Sequence, residues 1–123
     1  MVTMMTYSQG SGLFTFADGS MAHGYSGNGQ WKNDPHSQDV KGHGPLPRGL
    51  YTIGEAIVHP HLGSVAMPLS PHPDNDMFGR GSFYIHGDSV AHPGAASEGC
   101  IILPHDVRLR ISQGEDRTLK VVE

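Results

Sequence analysis

The chain carries nine histidines and one cysteine. The cysteine, Cys100, stands in the run SEGC, and His86 precedes it by fourteen residues in the run IHG. A nucleophilic cysteine needs a base for its thiol proton, a group that orients the base, and donors for an oxyanion. His86 closes the apolar run SFYIH and is followed by Gly87, where the backbone can turn sharply. A strand-end histidine facing a helix-start cysteine is a workable pair of base and nucleophile. Gly99 would leave room for a substrate carbonyl close to the main chain, and the N–H groups of Gly99 and Cys100 would donate to the oxyanion. The competing reading is a small buried apolar cysteine and a histidine that sits on a strand without chemistry. Ser-x-Gly-Cys is a poor core sequence, however, and glycine beside cysteine marks close backbone approach.

Other residues invite attention. His59 and His61 form a His-x-His pair in VHPH, and His72, Asp74 and Asp76 follow. That is the start of a zinc site, although a third ligand and a general base have no clear spacing; a solvated His/Pro loop is the alternative. His92, between base and nucleophile, reads as a lid residue. Tyr25 and Trp31, in GYSGNGQW, line a groove or pack in the core. Asp88 is expected to bond loop backbone.

The elements that must position these groups are short. Glycine (17) and proline (9) are frequent, and they punctuate apolar runs rich in β-branched and aromatic residues. The runs at 13–16, 49–58, 64–69, 82–87 and 118–122 predict strands, with turns at ADGS, SGNG and GPLPRG. Leu103, Val107 and Ile111 recur every four residues, Pro104 suits a first helical turn, and Gly114 suits a helix end. This predicts one short helix over about 104–113, directly after the cysteine, whose dipole and free N–H groups would favour a thiolate. The fold class is therefore mostly β with one helix, in a single domain spanning 1–123. One cysteine forms no internal disulfide. A net charge of -4 with only 8 Lys+Arg argues against phosphate-driven nucleic-acid binding. The start MVTMMTYSQG has neither basic n-region nor long apolar run, so no signal peptide or membrane anchor is expected, and synthesis is expected in the cytoplasm.

The ordered set GYSGNG (24–29), GPLPRGLYTIG (44–54), GRGSFYIHG (79–87) and SEGC resembles the L,D-transpeptidase (YkuD-like) catalytic domain. It is most similar to the branch of type VI secretion effectors and phage-type proteins, and the resemblance covers roughly residues 7–122. It implies a β-sandwich or barrel, no cofactor, and a cysteine nucleophile acting on peptidoglycan stem tetrapeptides. By position, Cys100 would attack the carbonyl between the third residue's L-centre and the following D-alanine. His86 would be the base, the Gly87 carbonyl would orient its ring, and Ser97 would brace the cysteine loop. A thioester would release D-alanine; water as acceptor gives an L,D-carboxypeptidase, an amine gives exchange or crosslinking. The usual histidine before Gly-Cys and the arginine two residues after it are replaced by Glu98 and Ile102. A carboxylate at 98 would raise the thiol pKa unless it points to solvent. Arg80 would supply the missing cation and bind a substrate carboxylate, or else be an exposed turn residue. Implied partners are stem peptides, an immunity protein and a secretion apparatus, with action in the periplasm or wall of a target bacterium after secretion or lysis. The alternatives are a zinc-dependent cell-wall peptidase and a wall- or partner-binding module with a dead site.

Overall fold

The computed structural model describes residues 4–123. Ten strands and one helix follow one another as β1 (Met5–Ser8), β2 (Leu13–Thr15), β3 (Met21–His23), β4 (Tyr25–Ser26), β5 (Gly49–Ile53), β6 (Ile57–His59), β7 (Gly63–Pro71), β8 (Phe83–His86), β9 (Ile101–Ile102), α1 (His105–Gln113) and β10 (Thr118–Val122). Nine of the strands form a path in the order β3-β2-β1-β10-β5-β7-β8-β9-β4, and β6 pairs with β7 alongside it. The sheet curls into a nearly closed barrel, so the expected mostly β domain with one helix is what forms.

Alternation places the core. Tyr51 and Ile53 on β5, Leu119 and Val121 on β10, and Met5 and Tyr7 on β1 all point inward, as period two requires. Register keeps these rows together: Leu119 pairs with Tyr51 on one side and with Met5 on the other. Met67 and Leu69 of β7, Ile85 of β8 and Ile101 of β9 complete the cluster, and Ile111 of α1 closes it. Each such burial contributes about 1.5–3 kcal/mol before ordering costs.

Two expectations are adjusted. The run 49–58 is not one strand; Gly54–Ala56 break it, so β5 and β6 both pair with β7. The helix does not follow Cys100 directly. Strand β9 and the pair Leu103–Pro104 intervene, and α1 begins at His105 with Pro104 as the extended residue before it. Gly114 ends α1, donating its N–H to the Arg110 and Ile111 carbonyls.

Candidate active site

The site is a consequence of strand parity. Strands β8 and β9 run parallel with Ile85 beside Ile101 and His86 beside Ile102. Ile85 and Ile101 are both fully buried in the core. One step back, Cys100 lies beside Tyr84, whose N–H points at the Cys100 Sγ at 3.3 Å. Tyr84, His86 and Cys100 therefore belong to the opposite face. All three line one cleft of about 670 Å³, together with His59, Lys41 and Glu98. Cys100 directly precedes β9, so the parallel register brings it to the same cleft as His86 of β8.

His86 is 3% exposed, and its Nδ1 lies 2.8 Å from the Gly87 carbonyl. A carbonyl only accepts, so Nδ1 carries the proton and Nε2 keeps a lone pair. Burial holds the imidazole pKa below its ordinary value; the Gly87 bond opposes this, Arg108 and His59 add to it, and Asp88 opposes it. Burial also pushes the Cys100 thiol up, to about 11, with the Tyr84 N–H lowering it, Glu98 raising it and Arg80 lowering it. The resting pair is a neutral thiol beside a neutral imidazole. The expected thiolate at a helix start is thus corrected: no helix N-terminus touches the sulfur, and desolvation dominates.

The loop that carries Cys100 is tied down from β4. Ser97 is fully buried. Its Oγ donates to the Cys100 carbonyl at 2.6 Å and accepts from the N–H groups of Gly27 at 2.8 Å and Gly99 at 3.1 Å. Ser26 Oγ donates to the Gly99 carbonyl and accepts the Leu46 N–H. Asn28 Nδ2 donates to the carbonyls of Ser97 and Gly42. Neither Ser26 nor Asn28 was singled out from sequence, although both sit in GYSGNG, where small polar residues between glycines signal backbone bonding.

Two site residues do something other than expected. Gly99 leaves no room for substrate: a Cβ there would lie 2.5 Å from the Phe83 ring and 2.6 Å from Arg80 Nη2, and its φ is +134°. Its N–H is also taken by Ser97, so it is not free to meet an oxyanion as expected. Arg80 is neither an exposed turn residue nor free for a carboxylate. It is 6% exposed, with Nη1 donating to the Gln38 and Pro45 carbonyls and Nη2 to those of Gly44 and Glu98. Its guanidinium lies over the Phe83 ring, 5.2 Å from the centroid. Glu98 itself extends an exposed side chain at the cleft.

Tyr25 is a strut: its hydroxyl donates to Asp88 Oδ1 at 2.6 Å and accepts the Ala96 N–H at 3.0 Å. Asp88 also accepts from the N–H groups of Ser89 and Gly94, so it bonds the loop that carries Ala95 and Ala96 to the cleft. His92 is exposed on that loop, its N–H donating to Ser89 Oγ. Trp31 stacks on His43 with ring centroids 4.3 Å apart. The zinc reading finds no donor set. His59 Nδ1 accepts from the His61 and Leu62 N–H groups, and His72 Nδ1 accepts the Asp74 N–H. Among the described residues no three His, Cys, Asp or Glu side chains form a group that holds a metal ion.

The fold is that of the L,D-transpeptidases. The chain matches L,D-transpeptidase 1 of Mycobacterium tuberculosis with a TM-score of 0.60 at 13% identity, over 99% of this chain and 60% of that one. It matches the L,D-transpeptidase of Xylanimonas cellulosilytica with a TM-score of 0.59 at 14% identity, over 98% of this chain and 60% of that one. It also matches the L,D-transpeptidase of Mycobacterium smegmatis, with a TM-score of 0.54 at 15% identity over 98% of this chain and 58% of the other. The chain thus spans about 60% of the length of these structures. The model of the Tlde1 domain matches residues 20–122, and the chain belongs to that family. This agrees with the effector side of the resemblance; its phage-type side is left without support. No curated protein matches the chain.

Proposed function

We propose that this protein is a cysteine-dependent L,D-carboxypeptidase or L,D-transpeptidase acting on peptidoglycan stem tetrapeptides. Family membership supports the substrate class, and one observation carries the mechanism: the neutral His86 imidazole and the Cys100 thiol line the same cleft, with Nδ1 held by Gly87. As Cys100 Sγ attacks the carbonyl that precedes the terminal D-alanine, its proton passes to His86 Nε2. The Cys100 N–H donates to the oxyanion. The tetrahedral adduct collapses by breaking the C–N bond, and the departing amine of D-alanine takes the proton back from His86. Water, deprotonated by His86, then hydrolyses the thioester, releasing the tripeptide and returning the proton to sulfur; an amine acceptor gives a new peptide bond instead. A protonated resting thiol suits this order, since proton and nucleophile move together. Ser97 holds the carbonyl of the nucleophile throughout.

The effector reading rests on the family and extends the chemistry to a setting. The protein is delivered to the periplasm of a target bacterium and is neutralised there by an immunity protein. Disaccharide-tetrapeptide followed by mass spectrometry tests the chemistry: wild type should release D-alanine with or without EDTA, and Cys100→Ala should not. Equal turnover by that variant would sink the mechanism, and chelator-sensitive turnover restored by zinc would return the case to His59 and His61. For the setting, fusion to an export signal should lyse a Gram-negative host only when Cys100 is intact. Toxicity that persists in the cytosol with Cys100→Ala would point to a binding module.

A further inference from the structure

Arg108 is a buried cation that the chemistry above does not use. It belongs to α1, is 8% exposed, and forms no ion pair among the described residues; only main-chain carbonyls meet its charge. Nε donates to the Leu103 carbonyl at 3.0 Å, and Nη1 donates to the Ser64 carbonyl at 2.7 Å, with that of Val65 at 3.4 Å. Val65 has φ +53°, rare for a β-branched residue. Its place is beside the register shift between β6 and β7. The guanidinium occupies the space where a side chain at 87 would stand: a Cβ on Gly87 would lie 2.6 Å from Nη2 and 3.0 Å from Cζ. A second link runs through Leu103, whose N–H donates to the His86 carbonyl at 3.1 Å. The two peptide groups that follow the base, the one with the His86 carbonyl and the one with the Gly87 carbonyl, are thus braced from the Arg108 side.

We infer that Arg108 is the positioning residue of the site: by packing against Gly87 and gripping Leu103, it holds the Gly87 carbonyl on His86 Nδ1 and so presents Nε2 to Cys100. The need is physical. An imidazole left free to choose its proton puts half or more of the molecules in the wrong tautomer, and the orienting group of a catalytic histidine governs rate through that choice. A buried guanidinium is costly unless its donors are satisfied. Three carbonyls from two separate segments take its Nε and Nη1 donors and so fix the guanidinium at the corner after His86, with Nη2 turned to Gly87. The charge acts in the same direction, because a cation beside the ring disfavours its protonation. The other charged or titratable groups that face His86 or line its cleft are His59, Asp88, Cys100, Tyr84, Lys41, Arg80 and Glu98.

This inference rests on His86 being the base, and its test separates the two. Imidazole ¹⁵N shifts of His86 are read in wild type, Arg108→Gln, Arg108→Lys and Gly87→Ala, with thermal melts on the same samples. Wild type should show the Nδ1–H tautomer. Arg108→Gln should show a mixture, and so should Gly87→Ala, which displaces the guanidinium without removing it. Arg108→Lys should recover part of the wild-type population. On disaccharide-tetrapeptide, Arg108→Gln should lose about tenfold or more in kcat with KM changed less than about twofold. A wild-type tautomer in a folded Arg108→Gln or Gly87→Ala overturns the role, as does a kcat loss that matches only the unfolded fraction. If Arg108→Gln does not fold, Gly87→Ala and Arg108→Lys decide it. An inactive wild type whose tautomer still responds to Arg108 would instead sink the proposed function and leave the positioning role standing.

Discussion

Replacing Ser97 by alanine removes one oxygen and should cost far more than one hydrogen bond. Its Oγ makes three bonds inside the protein, to the Cys100 carbonyl and from the Gly27 and Gly99 amides. No water reaches the position, since Ser97 is fully buried. Ser97→Ala therefore leaves two buried donors and one buried acceptor without their partner. At about 1 kcal/mol for each, the lower end for an unsatisfied buried group, the loss is about 3 kcal/mol. In a domain of this size that lowers Tm by about 12 °C. Urea titration of wild type and variant, with equal m values, measures it. The pair with Ser26 sharpens the test, because Ser26 bonds the carbonyl of the same Gly99 whose N–H bonds Ser97. In Ser26→Ala/Ser97→Ala the two losses should deviate from additivity by about 0.5 kcal/mol or more. A Ser97→Ala variant within about 0.5 kcal/mol of wild type, or strictly additive with Ser26→Ala, would refute the bracing of the cysteine loop.

Arg80→Met should destabilise by about 3 kcal/mol or more, since four carbonyls lose their donor, and Cys100 alkylation should quicken as its loop loosens; a variant of wild-type stability and alkylation rate but poor turnover would make Arg80 a substrate ligand after all. Iodoacetamide should react with Cys100 slowly at pH 7 and faster only as pH climbs towards 11, whereas His86→Ala should abolish turnover with little effect on that rate. Rapid alkylation with a midpoint below about 8.5, the free thiol value, would contradict a neutral resting pair. Because burial raises this thiol pKa above its free value, to about 11, the folded state carries no thiol penalty below the free value and loses stability as pH rises from there towards the folded one. Wild type should therefore lose stability relative to Cys100→Ala across that window, and parallel curves in chemical denaturation would contradict it.

What could be read in the sequence was whatever a residue's own neighbours determine. The β-branched run Thr118–Val122 pairs along its whole length, and the four-residue spacing from Leu103 marks α1 with Gly114 as its end. Strands β1, β3, β4 and β9 were invisible because runs of two to four residues such as Tyr25–Ser26 show no clear period; β1 is held between β2 and β10, β3 by β2, β4 by β9, and β9 between β8 and β4. His86 and Cys100 stood out by chemical type, and their shared face follows from the parallel register of β8 and β9. Arg80 stood out for another role and Arg108 not at all, since the carbonyls that bury them come from segments as distant as Gln38 and Ser64. Arg108 left a faint local sign: it lies three residues before Ile111, on the edge of the apolar stripe. Gly99 was recognised as a close approach, but what approaches it is Phe83 and Arg80 rather than a substrate.

Strand β1 has its parallel partner in β10, and Ser8 Oγ reaches the Glu123 carbonyl across a sequence separation of 115. The strand order puts this pair inside the sheet, with β2 and β3 on one side and β5 onward on the other. During synthesis β1, β2 and β3 therefore wait with an open edge until β10 has been made. Pairings between such distant segments are slow to find, and an unpaired edge is a template for other chains. The nascent protein cannot close its barrel, or finish shaping the cleft, while β10 is still inside the ribosome. A copy that lacks β10 therefore bares two strand edges at once, that of β1 and that of β5.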